Sequence, residues 1–118
     1  MTIRDPRPDI MAMLLDEAAA AAAAGEVPVA AAVTDAEGAI IALAQNRMRR
    51  DGSALHHAEM LVLADALALR GSERLEDCDL WVTLEPCTMC AGAIAHARIR
   101  RLYFCLLYTS PSPRDWMV

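Results

Sequence analysis

Two short motifs each open a helix, and the chain must fold so that the two openings meet. The first is His57-Ala58-Glu59. The second is Pro86-Cys87-Thr88-Met89-Cys90, directly after the apolar run Leu80-Trp81-Val82-Thr83-Leu84. One imidazole and two thiolates form a zinc donor set of three protein ligands, which leaves the fourth tetrahedral position open to water. An open position separates catalytic zinc from structural zinc, and Glu59 supplies a carboxylate able to move protons beside it. Cys87 and Cys90, three apart at a helix start, share one face, and the helix N-terminus favours the thiolate form. Residues two apart in mid-helix point nearly opposite ways. His57 and Glu59 can therefore serve one site only if His57 lies at the helix entry and Glu59 in the first turn. A site built this way sits at strand ends, where open α/β sheets place their ligands.

The rest of the pattern supplies the elements. Pro8 to Ala24 carries Met11, Leu14, Leu15 and Ala18 at helical spacing, with Gly25 as a stop. Val27 to Val33 reads as a buried strand, Asp35 to Gly38 as a hairpin turn and Ala39 to Ala44 as the returning strand. Asn46 to Leu55 reads as a polar, arginine-rich loop. The helix from His57 to Arg70 presents Met60, Leu61, Ala64, Leu67 and Ala68 on one face and ends at Gly71. Leu80 to Leu84 is a strand, a helix runs from the Glu85-Pro86 turn through Ala97, and Arg101 to Phe104 is a last strand. The expected order is α-β-β-α-β-α-β, an α/β fold with helices packed on a sheet.

Composition narrows the class. A chain of 118 residues, 56% hydrophobic with mean hydropathy +0.25, forms one domain with a real core. No apolar run is long enough to span a bilayer, and Arg4, Asp5, Arg7 and Asp9 make the opening segment unlike a signal peptide. A cytoplasmic chain is expected, where thiols stay reduced and available to metal. The net charge of −5 does not advertise a nucleic-acid binder, yet all 11 basic residues are arginine. Arg47, Arg49 and Arg50 form one group and Arg98, Arg100 and Arg101 another. They read either as solvated surface or, if they flank a cleft, as forks for phosphate.

Residues 1–104 read as the domain and 105–118 as a foreign or disordered tail. Ser110-Pro111-Ser112-Pro113 stops any strand or helix, and Cys105 to Asp115 resembles one translated reading frame of a transposase-type sequencing adapter. The expectation is a domain whose C-terminal elements are missing and a tail that supplies no site residue.

Plainer readings of the cysteines stay open at this point. A C-x-x-C that opens a helix could be a redox pair, and a structural zinc module could recruit Cys78 or Cys105 as a fourth ligand. Neither accounts for His57-Ala58-Glu59 at a helix entry. Cys78 reads as a small buried hydrophobe, and His56 and His96 as surface residues.

H-x-E followed by P-C-x-x-C is the pattern of zinc-dependent base deaminases. From about Met11 to Phe104 the chain resembles the cytidine and deoxycytidylate deaminase superfamily, and within it the bacterial tRNA-specific adenosine deaminases. Gly25 to Val29, Asn46-Arg47, His57 to Met60, Leu80 to Ile94 and Arg98 to Arg101 carry the likeness. The resemblance implies a cytidine-deaminase-like three-layer α/β/α sandwich with a central mixed sheet. It implies one Zn2+ per chain on His57, Cys87 and Cys90, with Glu59 as proton shuttle. It also implies substrate contacts from Asn46 and the Ala58 backbone, hydrolysis of a wobble adenosine to inosine in a tRNA anticodon loop, and a homodimer. A free-base or nucleoside deaminase acting on guanine or cytosine, and an inactive truncated fragment, are the alternatives. Two departures stand out. Ser53-Ala54-Leu55-His56 replaces the usual Asp-Pro-Thr-Ala, and Ala31 stands where glycine is frequent.

Overall fold

The computed structural model describes residues 8–104; the tail read from 105–118, with Cys105, lies outside the described residues. The elements are α1 (Pro8–Ala23), β1 (Ala30–Thr34), β2 (Ile40–Gln45), α2 (Met48–Asp51), α3 (Ala58–Arg70), β3 (Asp79–Val82), α4 (Thr88–Ala97) and β4 (Arg101–Phe104). The sheet runs β2-β1-β3-β4, antiparallel except for the parallel pair β3–β4. The parallel pair needs a crossover, and α4 supplies it.

Side-chain alternation sorts the core into two layers. Ala30, Ala32, Trp81 and Tyr103 face α1, meeting Ile10, Met11, Leu14 and Ala18. Ala31, Val33, Leu80, Val82, Leu102 and Phe104 face the other way, onto α3 and α4. Helices on both faces of a mixed sheet make the expected three-layer sandwich. β1 and β3 are buried along their whole length, as strands covered on both faces must be. No described helix is long and apolar enough to cross a membrane.

Three local readings change. The Asn46–Leu55 loop contains α2, a single turn invisible to hydrophobic periodicity because Met48-Arg49-Arg50-Asp51 has no apolar stripe. β1 starts at Ala30, not Val27: Pro28 has no N–H to give a ladder, and the Val29 N–H turns back to the Val27 carbonyl. The buried stripe of α3 is Ala58, Glu59, Val62, Leu63 and Ala66, rotated from the Met60, Leu61, Ala64, Leu67, Ala68 face that spacing suggested. The site sets that rotation. With His57 at the entry and Glu59 turned inward, Leu63 follows Glu59 inward one turn later, while Ala64 and Ala68 are exposed.

Register fixes two ends of the sheet. Ala31 pairs with Val82, and Thr34 pairs with Asp79, which in turn lies beside Arg101. Ala30 and Val82 therefore mark one end, and Thr34, Asp79 and Arg101 the other.

Candidate metal centre and substrate pocket

β3 delivers the two cysteines. Beyond Val82, the Thr83 N–H bonds the Ala30 carbonyl, and the Thr83 hydroxyl accepts from the Ala30 N–H at 3.2 Å. This pins the strand end to β1. Pro86 then holds Glu85 extended, so the chain turns and enters α4 at Cys87. Cys87 is the N-cap of α4 and Cys90 lies in its first turn. His57 is the N-cap of α3 and Glu59 its second residue, which resolves the orientation conflict in the way the sequence required. N-caps are normally Ser, Thr, Asp or Asn, whose side chain bonds a free N–H for about 1 kcal/mol. Neither His57 nor Cys87 makes such a bond. Their side chains are left to point at each other instead.

They meet closely. Nδ1 of His57 lies 3.5 Å from Sγ of Cys87 and 3.5 Å from Sγ of Cys90, and all three donor atoms fall within 4.8 Å of one another. Tetrahedral zinc with its usual Zn–N and Zn–S lengths needs an N···S span of about 3.6 Å. The donor set fits the ion in type and spacing. Burial pushes the Cys90 thiol well above its ordinary range, with Glu59 and Cys87 pushing the same way. A divalent cation among these groups reverses that preference and favours thiolate. Among the described residues this is the only such group of possible ligands; Cys78, fully buried beside β3, is not part of it.

A cavity of about 160 Å³ opens beside the donor set, lined by Val27, Val29, Asn46, Met48, His57, Glu59, Leu84, Glu85 and Cys87. That is below the range of about 300–1,000 Å³ usual for drug-sized ligands and suits one small planar ring system. Glu59 is buried, and burial pushes its carboxyl above the usual carboxylate range, partly offset by its own backbone N–H, the His57 charge and Cys90. Asn46 is also buried; its Oδ1 accepts from the Met48 N–H at 3.0 Å, so its Nδ2 is the group free to face the cavity. The Ala58 side chain belongs to the core. Its N–H, the first of α3, has no acceptor among the described residues.

Sequence reasoning missed Val27, Met48, Leu84 and Glu85 as lining residues. Leu84 and Glu85 adjoin Pro86 of the second motif and Met48 lies two residues after Asn46, whereas Val27 is distant in sequence from both motifs and is brought in by the fold. It also missed the reason the arginines cluster. Arg47 pairs with Asp51, the Arg49 guanidinium donates to the Gly25 carbonyl, and Arg50 donates to Gln45 and to the Asn46 carbonyl. These contacts latch α2, whose Met48 lines the pocket; the three arginines do not themselves line it. Arg100 grips Asp79 with two bonds of 3.0 and 3.1 Å at the far end of the sheet, where Arg98 and Arg101 also lie, so that group does not flank the cleft.

Residues 6–106 match the cytidine and deoxycytidylate deaminase zinc-binding region. A tRNA-specific adenosine deaminase of Agrobacterium fabrum is 47% identical over 98 residues, which make up 83% of this chain and 64% of that relative. The chain thus spans just under two thirds of that relative's length. Among solved structures, one from the tRNA:A34 deaminases, which carry out A-to-I editing at the wobble position of transfer RNA, superposes with a TM-score of 0.79 at 46% identity. That match covers 85% of this chain and 76% of the other. Guanine deaminase from Bacillus subtilis superposes with a TM-score of 0.80 at 30% identity, covering 86% and 64%. A zinc donor set at two converging helix starts, a buried carboxylate beside it and a match spanning nearly the whole chain place this protein in the cytidine and deoxycytidylate deaminase zinc-binding family.

Proposed function

We propose that this protein hydrolyses adenosine to inosine at the wobble position of a tRNA anticodon. The observation that carries the reading is that Glu59 shares one small cavity with His57 and Cys87 of the zinc donor set. His57, Cys87 and Cys90 hold the ion, and the chemistry it supplies when bound is activation of water near neutral pH. Glu59 takes a proton from the attacking water and delivers it to the ring nitrogen beside the amidine carbon; it then takes the remaining proton of the added hydroxyl and gives it to the amine, which leaves as ammonia. The C–O bond forms first, by addition across the ring C=N bond, and the C–N bond to the amine breaks in the elimination that follows, so that water and adenosine give inosine and ammonia. A carboxyl raised by burial suits a group that must both accept and return a proton. Asn46 donates through Nδ2 to an acceptor of the flipped base, and the Ala58 N–H offers a second donor at the helix start. Val27, Val29 and Leu84 wall the base with apolar surface.

Adenosine in tRNA is favoured over a free base because the tRNA-acting relatives match at 46–47% identity against 30% for the guanine deaminase. A single-stranded loop presents its base already splayed, so no duplex need be opened. The same reading places the protein in the cytoplasm as a homodimer. The test is deamination of a tRNA anticodon stem-loop against guanine, cytosine and nucleosides, with Glu59→Gln alongside. Expected are inosine in the stem-loop only and, for Glu59→Gln, one retained zinc with turnover down by about 10²–10⁴-fold. Turnover of guanine or cytosine without stem-loop activity overturns the substrate. Wild-type rates in zinc-loaded Glu59→Gln overturn the mechanism.

A further inference from the structure

α2 is only four residues long and its N-cap, Arg47, makes no side-chain cap. Such a turn is not stable by propensity. Its first N–H, from Met48, bonds Oδ1 of Asn46. The next two N–H groups, from Arg49 and Arg50, bond the carboxylate of Glu26, which lies more than twenty residues earlier in the chain. The distances are 3.2 and 3.1 Å from Arg49 to the two oxygens and 3.0 Å from Arg50. The Val27 N–H donates to the same carboxylate at 3.1 Å, and the Arg50 guanidinium lies 3.6 Å away. The Glu26 side chain has no solvent exposure, so these groups and not water satisfy its carboxylate. Arg50 closes the circuit by donating to the Asn46 carbonyl at 2.9 Å.

We propose that Glu26 is the positioning residue of the substrate pocket. It caps α2 from across the chain and so holds Asn46 with its Nδ2 turned to the cavity and Met48 in the wall. Each link is a hydrogen bond: Glu26 fixes the Arg49 and Arg50 amides, these fix the turn, and the turn holds the Met48 N–H against Asn46 Oδ1. With that oxygen engaged, the amide of Asn46 can present only its donor. Releasing the turn lets Asn46 rotate and present either end, which weakens substrate binding without touching the zinc ligands or Glu59. This rests on the reading above that Asn46 contacts the substrate.

The test uses the zinc-loaded protein with Glu26→Gln, Asn46→Ala and the double variant, assayed on an anticodon stem-loop. Glu26→Gln removes the charge and one of the two acceptor oxygens, so its NH2 opposes the N–H of Val27 or those of Arg49 and Arg50, and the cap is weakened. It is expected to raise KM about tenfold with kcat within about twofold and zinc unchanged. In the Asn46→Ala background it should change KM by less than about twofold, because the two act as one unit. An additive loss, or a fall in kcat with loss of zinc, overturns the proposal in favour of a purely structural role. Amide exchange gives a readout that needs no substrate: Glu26→Gln should speed exchange at Met48, whose acceptor is Asn46 and not Glu26, by about tenfold. Unchanged protection there overturns the positioning chain. If the wild-type protein deaminates nothing, the functional reading fails and the exchange arm still decides the role of Glu26. Glu26→Asp, which keeps the charge and shortens the reach, should give the same pattern at smaller size should the glutamine variant fold poorly.

Discussion

At the end of the sheet marked by Ala30 and Val82, α3 and α4 both begin on residues that make no side-chain cap. At the opposite end, marked by Thr34 and Asp79, both helices finish on left-handed caps whose N–H bonds the preceding turn. That far end is tied by hydrogen bonds among side chains and backbone. Asp35 accepts from Glu37 and Ala39 to close the hairpin, Trp81 donates to Thr34, and Arg100 grips Asp79. The site end forgoes two caps, about 1 kcal/mol each, and leaves free N–H groups directed at one point. The difference teaches where function is stored in this fold. Chemistry-bearing side chains occupy the positions that capping would claim, and the partial positive charge of two helix starts favours the thiolates and developing negative charge between them.

The comparison is broken most directly at Cys87, which is exposed, so its removal leaves no core cavity. Cys87→Ala should lose zinc and cut activity by more than the roughly 100-fold that loss of an outer-shell partner costs. Amide exchange should rise in the first turns of α3 and α4 and stay unchanged around Thr34 and Asp79. Zinc analysis and exchange mapping read this out. Full zinc retention would mean that another residue completes the set and that the site end is not organised by the ion.

The far end should answer in the opposite way. Thr34 and Trp81 are both buried, and the Thr34 hydroxyl accepts the indole N–H at 3.0 Å. Thr34→Val keeps the volume and strands that N–H, at a cost of roughly 1–3 kcal/mol. Denaturant unfolding should show the loss, while zinc content and kcat per folded molecule stay as they were. A change in KM or zinc affinity would show that the two ends communicate.

How legible these ends were in the sequence follows from what sequence patterns encode. Trp81, Val82 and the alanines of β1 announce a buried strand pair by composition, and Gly71 announces a helix stop. His57, Glu59, Cys87 and Cys90 were readable as one site because only helix-entry placement lets residues two apart cooperate. What escaped was contact between distant segments. Glu26 reads as an ordinary charged residue before a strand, yet it caps a turn more than twenty residues away. Met48-Arg49-Arg50-Asp51 carries no periodic signal because its helix is held by that outside carboxylate and by Asn46. The face of α3 was misjudged for a related reason. Apolar spacing admits either of two neighbouring stripes, and the inward demand of Glu59, a polar residue, chooses between them.

The smallest effect makes the sharpest comparison, because α3 and α4 end in the same backbone conformation on different residues. Gly71 has φ 61° and ψ 36°, and Arg98 has φ 61° and ψ 41°. Arg98 is the one described non-glycine residue at positive φ. A side chain in that region costs about 1–2 kcal/mol, because Cβ crowds the following carbonyl. Arg98 is exposed and makes no ion pair among the described residues that would repay the strain. Arg98→Gly should therefore stabilise the protein by about 0.5–1 kcal/mol, the relief of strain less the extra freedom glycine brings to the unfolded chain. At Gly71 an added Cβ would meet nothing within 4 Å, so Gly71→Ala tests conformation alone and should cost about 1 kcal/mol. Opposite signs of similar size in paired thermal melts, several degrees apart in Tm, are the expected result. A destabilised Arg98→Gly would mean that the guanidinium has work to do at this end, and the far end would then no longer be the purely structural counterpart of the site.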